Sequence, residues 1–80
     1  MKSVILVVTK DCPFCPSVDK LWTRLKKKYN FDYKLLDATS DEGSKLVEKF
    51  GIMSVPATII DDKLKFIGVP DKSKAEEALK

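Results

Sequence analysis

The residues from Ser3 to Thr9 form one unbroken apolar and β-branched run, SVILVVT. A run of this kind is typical of a β-strand that is buried on both faces, at the centre of a sheet. It is much shorter than the roughly 20 apolar residues that a membrane-spanning helix requires. Because a strand covered on both faces needs other elements above and below it, the run predicts an α/β fold with helices on both sides of a sheet.

The spacing of apolar residues changes directly after this strand. Apolar side chains now recur at steps of three and four, at Val18, Leu21, Trp22, Leu25 and Tyr29. This spacing places them on one face of a helix. Proline suits the first helical position, where the backbone N–H has no partner, so Pro13 predicts a helix over residues 13–28. We expect Trp22 to lie in the core.

The remaining chain contains signals for five further elements. They are a strand over 31–36, a helix over 40–50, a strand over 57–60, a strand around 64–67 and a last helix capped by Asp71 or Ser73. Thr39 and Glu42 have the spacing of a capping box. Gly51 stands where a left-handed C-cap is favoured, and Asp61-Asp62 predicts a tight turn between two antiparallel strands.

These elements predict the order β-α-β-α-β-β-α. The first two strands are joined by a helix, so we expect them to be parallel with a right-handed crossover, and the last two to form a hairpin. The predicted fold is a four-stranded mixed sheet flanked by three helices. A chain of 80 residues has room for one such domain, spanning residues 1–80.

The charge pattern and the length of the apolar stretches argue against nucleic-acid and membrane partners. The chain has 15 basic and 12 acidic residues, a net charge of +3, and its basic run Lys26–Lys28 falls at a predicted helix end, where cations suit the helix dipole. No aromatic stripe accompanies these lysines, so no nucleic-acid partner is expected. The apolar stretch Val4–Val8 is shorter than the roughly seven to fifteen residues of a signal-peptide core, and no membrane partner is expected. A cytoplasmic protein is predicted.

The only two cysteines form the motif Cys12-Pro13-Phe14-Cys15, between the buried strand and the first helix. A thiol at a helix N-terminus faces unpaired N–H groups and the positive end of the dipole, both of which favour the thiolate. The short spacing lets the second thiol attack a disulfide formed on the first. We therefore predict that Cys12 attacks and that Cys15, which we expect to be more buried, resolves.

The neighbours of the two cysteines have separate predicted effects. Pro13 stiffens the turn, and Phe14 offers an apolar surface beside the exposed sulfur. The positive charge of Lys10 favours a Cys12 thiolate, whereas the negative charge of Asp11 opposes it. We expect both charges to be exposed and screened, so that the helix N-terminus dominates.

A CxxC motif can also bind metal. A closed zinc site needs four ligands, and this chain offers two Cys and no His. The alternative to redox chemistry is therefore a dimer that holds zinc or an iron–sulfur cluster between two CPFC motifs. A purely structural disulfide is not expected in a reducing compartment.

The chain resembles the thioredoxin/glutaredoxin superfamily over essentially its whole length. The strand before CPFC, Val55-Pro56 before the third strand and a glycine before the last helix carry the resemblance. The segments Gly51–Pro56 and Phe66–Pro70 are similar to "GIM-x-VP" and "FIG-x-P" in the short glutaredoxin-like thioredoxins of archaea. The resemblance implies a thiol–disulfide oxidoreductase that reduces disulfides in proteins.

The resemblance also implies the remaining parts of the site. Val55-Pro56 is expected to be a cis peptide bond that lies against the CxxC motif, with the Val55 backbone pairing with an extended substrate. Gly68 matches a glycine in the family's last docking loop. No bound cofactor is expected, and the reductant is external, either NADPH with a thioredoxin reductase or glutathione. We expect a monomer whose partners are that reductant and disulfide-containing proteins.

Two departures from the family pattern bear on the mechanism. The double glycine that helps hold glutathione in glutaredoxins is replaced here by Gly68-Val69-Pro70-Asp71. The acid that thioredoxins carry in the strand before CxxC is missing, since Val4–Val8 is wholly apolar. Proton transfer to and from Cys15 must then use water or another group.

Overall fold

The predicted order of strands and helices is confirmed in a computed structural model of the chain, which describes residues 2–80. The elements are β1 (Lys2–Val8), α1 (Cys15–Lys28), β2 (Phe31–Asp37), α2 (Asp41–Phe50), β3 (Ala57–Ile60), β4 (Lys63–Ile67) and α3 (Lys72–Leu79). Met1, the first residue of the predicted 1–80 domain, lies outside the described residues. Within residues 2–80, no helix is long and apolar enough to cross a membrane.

The four strands form one mixed sheet in the order β2-β1-β3-β4. β1 pairs parallel with β2 and antiparallel with β3, and β3 pairs antiparallel with β4. In this register Val8 lies beside Asp37, Val7 beside Ala57, and Ala57 beside Ile67. The ends of β1, β2 and β4 and the start of β3 therefore share one edge of the sheet, which we call the upper edge.

The two faces of the sheet are covered by separate apolar clusters. One packs under α1 and α3 and contains Val4, Leu6, Val18, Trp22, Leu25, Phe31, Ile60, Ala75 and Leu79. The other lies towards α2 and contains Val7, Ile52, Ala57 and Ile59, with Ile5, Leu46, Val47 and Phe50 packed against it. Successive residues of β1 thus alternate between the clusters. This confirms the central strand that the first apolar run predicts.

Trp22 lies in the core as predicted, with its side chain fully buried. Its indole N–H donates a hydrogen bond of 3.2 Å to Oγ1 of Thr58, the one buried polar residue among residues 2–80. The ring also packs edge-on against Phe31, with ring centroids 6.3 Å apart. The hydrogen bond satisfies a donor that would otherwise be costly to bury.

The first helix begins two residues later than predicted. It starts at Cys15 with Phe14 as N-cap, and Pro16 rather than Pro13 lies in its first turn. The N–H of Cys15 donates to Sγ of Cys12 at 3.1 Å, so the chain between the cysteines is a turn closed by sulfur. Pro13 and Pro16 could each stand at a helix start, where the backbone N–H has no partner within the helix. The sequence alone therefore does not show at which proline the helix begins.

The start of α2 also differs from the prediction. Ser40, not Thr39, is the N-cap, and its hydroxyl accepts a hydrogen bond of 3.1 Å from the N–H of Gly43. The same hydroxyl donates to the carbonyl of Asp37 at 2.6 Å. A Cβ at Gly43 would collide with that carbonyl, so the loop before α2 packs directly on glycine.

The neighbouring capping-box residues have other partners. The Thr39 hydroxyl and N–H both donate to the Asp37 carboxylate, at 2.6 and 2.8 Å. Glu42 instead forms an ion pair of 2.6 Å with Lys34. Gly51 ends α2 in the left-handed conformation, with φ of 63°, as predicted.

Candidate active site

Three loops meet at the upper edge of the sheet. The first joins β1 to α1 and carries the CPFC motif, the second precedes β3, and the third follows β4. The Val55–Pro56 peptide bond is cis, as the resemblance implied. The N–H of Gly68 donates to the carbonyl of Pro56 at 2.7 Å, which ties the second and third loops together. Gly68 has φ of 84°, a conformation that glycine adopts readily.

Cys12 and Cys15 are joined by a disulfide, with their Cα atoms 5.4 Å apart. Cys15 is only 5% exposed, whereas Cys12 is partly exposed. The expectation that Cys15 is the more buried of the two is confirmed. The Cys15 N–H at the start of α1 points at the Cys12 sulfur, so that sulfur occupies the positive end of the helix.

The charged residues just before Cys12 are both exposed, as expected. Lys10 lines the same cavity as the two sulfurs, and Asp11 does not. Hydrogen bonds from Thr39, followed by the positive charge of Lys10, lower the pKa of Asp37 at the upper edge. Asp37 therefore stays ionised close to this site.

A cavity of about 230 Å³ opens beside the disulfide. Its lining residues are Val8, Thr9, Lys10, Cys12, Cys15, Pro16, Asp19 and Leu35. Asp19 is the one carboxylate in this lining, and it accepts a hydrogen bond of 2.7 Å from the hydroxyl of Tyr33. Burial, and then the hydrogen bond to Asp19 and its charge, raise the pKa of Tyr33, so the phenol stays neutral and donates.

The large apolar side chains that remain exposed belong to the segments at the upper edge. Among residues 2–80 they are Phe14, Leu35, Met53, Ile67 and Val69. Phe14 lies between the cysteines, Met53 lies near the cis proline, and Val69 follows Gly68. Several exposed apolar side chains on segments at the same end of the sheet as a reactive group are consistent with a site of contact with other molecules.

The structure brings most of the predicted site residues to this edge. Pro13 is exposed next to Phe14, Val55 is half-buried, and Pro56 is buried directly before β3. The sequence analysis missed Asp19, Met53 and Val69. Asp19 follows Cys15 by four residues, a spacing that places both on one helix face and could have identified it.

The sequence profile of the Thioredoxin domain (Thioredoxin_3) matches residues 3–80. The chain belongs to the thioredoxin family. A probable thioredoxin of Archaeoglobus fulgidus is 35% identical over 75 residues, which are 94% of this chain and 82% of that protein. A probable thioredoxin of Methanothermobacter thermautotrophicus is 31% identical over 79 residues, 96% of this chain and 91% of that protein.

Solved structures agree with this membership. The NTD_N/C domain of the alkylhydroperoxide reductase AhpF from Enterococcus faecalis superposes with a TM-score of 0.84 at 26% identity, over 99% of this chain and 38% of that one. The predicted resemblance to the short archaeal members of the superfamily is confirmed. Thioredoxin membership and the disulfide between Cys12 and Cys15 make this protein a thiol–disulfide oxidoreductase.

The metal-binding alternative gains no further ligands from the fold. Residues 2–80 contain no group of three or more His, Cys, Asp or Glu side chains placed to hold a metal ion. The two sulfurs are bonded to each other. Among residues 2–80, no contact favours a metal or cluster module over disulfide exchange.

Proposed function

We propose that this thioredoxin reduces disulfides in other proteins through a mixed-disulfide intermediate. The Cys12 thiolate attacks one sulfur of the substrate disulfide and releases the other as a thiolate. Cys15 then attacks Cys12, which frees the reduced substrate and leaves the Cys12–Cys15 disulfide. The observation that carries the proposal is the pairing of a partly exposed sulfur, at the start of α1, with a buried one within bonding reach.

The substrate binds along the loops of the upper edge. An extended segment of the substrate pairs with the backbone of Val55, next to the cis proline Pro56. Pro13 and Gly68 contact its chain, and Phe14 packs against its apolar side chains. This assignment is supported by the hydrogen bond between the Gly68 and Pro56 loops and by the exposed apolar residues around the disulfide.

Lys10 and Asp11 tune the attacking sulfur. Lys10 lines the cavity that the two sulfurs share, so its positive charge stabilises the Cys12 thiolate. Asp11 is exposed and outside that cavity, so water and salt screen its opposing charge. The N–H of Cys15, which points at the Cys12 sulfur, adds a donor to the thiolate.

The electrons come from an external reductant. The protein works in the cytoplasm as a monomer of one domain, and it holds no cofactor of its own. NADPH and a thioredoxin reductase restore the dithiol in preference to glutathione. The single glycine of Gly68-Val69-Pro70-Asp71, where glutaredoxins carry a pair, supports this choice.

The test is a turnover assay on a protein disulfide with two regenerating systems. One arm contains NADPH and thioredoxin reductase, and the other contains glutathione, glutathione reductase and NADPH. We expect turnover in the first arm and its loss in both Cys12→Ser and Cys15→Ser. Full activity of Cys12→Ser would overturn the proposed mechanism, and faster turnover in the glutathione arm would overturn the proposed reductant.

A further inference from the structure

The cavity beside the disulfide contains one carboxylate, and nothing in the exchange described so far uses it. Asp19 lies one helical turn after Cys15 on α1, so both side chains are on the same face of the helix. Both also line the cavity of about 230 Å³, together with Cys12. An acid–base group therefore lines the same cavity as the two reacting sulfurs.

The Asp19 carboxylate is held in place from the sheet. The hydroxyl of Tyr33, on β2, donates to Oδ1 of Asp19 at 2.7 Å. Within residues 2–80, Oδ2 of Asp19 receives no hydrogen bond and remains available. Burial, and then the hydrogen bond to Asp19 and its charge, raise the pKa of Tyr33, so its hydroxyl remains a neutral donor to Oδ1.

Cys15 needs a base when it acts. Its side chain is 5% exposed, and burial disfavours the charged form of a thiol. The thiolate, not the thiol, attacks a disulfide, so Cys15 must lose its proton during the resolving step. The ionisable groups around the cavity are the two cysteines, Asp19 on α1, Lys10 from the loop before it, and Tyr33 behind Asp19 on β2.

We infer that Asp19 is the base that takes the proton of the Cys15 thiol in the resolving step, directly or through one water in the cavity. The inference rests on the proposed function. The Cys15 proton moves to Oδ2 of Asp19, and the Cys15 sulfur bonds to the Cys12 sulfur. The bond from Cys12 to the substrate sulfur breaks, and the departing thiolate receives the proton from Asp19. Two electrons pass from the cysteine pair to the substrate.

In this scheme Asp19 is a catalytic residue, because it exchanges a proton with a reacting atom. Tyr33 is a positioning residue that fixes Oδ1 and leaves Oδ2 free to act. A positioned base of this kind contributes roughly 100-fold or more to a proton-transfer step. The first step does not need it, because Cys12 is already placed at the helix N-terminus.

The two steps can be timed separately with dithiobis-nitrobenzoate, a small aromatic disulfide. The reduced protein releases one coloured thiolate when Cys12 attacks, and a second when Cys15 resolves the mixed disulfide. In Asp19→Asn we expect the first phase to be unchanged and the second to slow by about 100-fold or more at neutral pH. The second phase should then rise with pH until an unassisted thiol ionises, at about pH 8.5 or above.

Three further variants separate proton transfer from a general effect on structure. Asp19→Glu, which keeps the carboxylate, should recover most of the second phase. Tyr33→Phe should slow it by a few-fold, because the base is present and less well held. Asp32→Asn removes an exposed carboxylate beside Tyr33 and should leave both phases unchanged. Thermal unfolding of each variant confirms that it folds.

A second phase in Asp19→Asn within about twofold of the wild type, with the same pH profile, would overturn the inference. Equal slowing of both phases, or no recovery in Asp19→Glu, would overturn it as well. If the wild-type protein itself shows no turnover on a protein disulfide, the proposed function fails, which is a different result. If the wild type turns over and the second phase of Asp19→Asn is unaffected, the role of Asp19 is refuted and the proposed function stands.

Discussion

The exposed apolar residues near the disulfide give the sharpest prediction about substrate binding. Met53 is 93% exposed and Val69 is 55% exposed, so neither contributes much to the stability of the free protein. Fully burying such a side chain contributes about 1.5–3 kcal/mol. If a protein substrate covers about half of what is exposed, replacing both with serine removes about 1–2 kcal/mol of binding, or about a 5- to 30-fold loss in kcat/KM.

The assay compares two substrates in the double variant Met53→Ser/Val69→Ser. The kcat/KM for a protein disulfide should fall by the amount above, mostly through KM. The rate with a small aromatic disulfide should stay within about twofold, because such a molecule is too small to cover both residues. An equal loss with both substrates, or no loss with the protein, would refute the argument that this surface binds protein substrates.

Three predictions concern the fold that supports the site. Thr58→Val should lower the free energy of unfolding in urea by about 1–3 kcal/mol, because the buried Trp22 N–H loses its partner. In a Trp22→Phe background, where that N–H is absent, the same substitution should be neutral or stabilising. Gly43→Ala should cost about 1–3 kcal/mol through a backbone collision, whereas exposed Lys45→Ala should stay within about 0.5 kcal/mol. The pKa of Asp37 is lower in the folded protein than its ordinary value of 3.8, so the ionised carboxylate stabilises the fold at pH values above 3.8. The wild type should therefore melt at a higher temperature than Asp37→Asn at neutral pH. This difference should shrink as the pH falls below 3.8 and through the pKa that Asp37 has in the folded protein.

Local patterns were enough to predict the architecture. The run from Ser3 to Thr9 is apolar and β-branched without a polar face, which is typical of a strand covered on both sides. After that run, apolar residues recur every three or four positions, which predicts the crossover helix. Gly51 predicts the end of the second helix. Each of these signals lies within one element, so no information about tertiary contacts was needed.

The starts of the helices could not be predicted to the residue, because neighbouring residues compete for the same role. Pro13 and Pro16 both tolerate a missing N–H, and the sulfur of Cys12 decides between them by accepting the N–H of Cys15. Ser40 and Thr39 both offer a hydroxyl. The carbonyl of Asp37, at the end of β2, selects Ser40.

The candidate site divides in the same way. Cys12 and Cys15 belong to one local motif of four residues, so sequence alone locates them. The four-residue spacing from Cys15 places Asp19 on the same helix face, but the sequence does not show its hydrogen bond with Tyr33 of β2 or the cavity that it shares with both sulfurs. Contacts between elements that are distant in the chain carry no short-range sequence signal.

The division of labour between the two cysteines is tested most directly by trapping the intermediate. Reduced Cys15→Ser and Cys12→Ser proteins are mixed with a protein disulfide, quenched with acid and weighed by intact-mass spectrometry. The account predicts a covalent adduct of enzyme and substrate through Cys12 in the Cys15→Ser variant and none in Cys12→Ser. An adduct that forms through Cys15 in the Cys12→Ser variant, at a comparable rate, would contradict it.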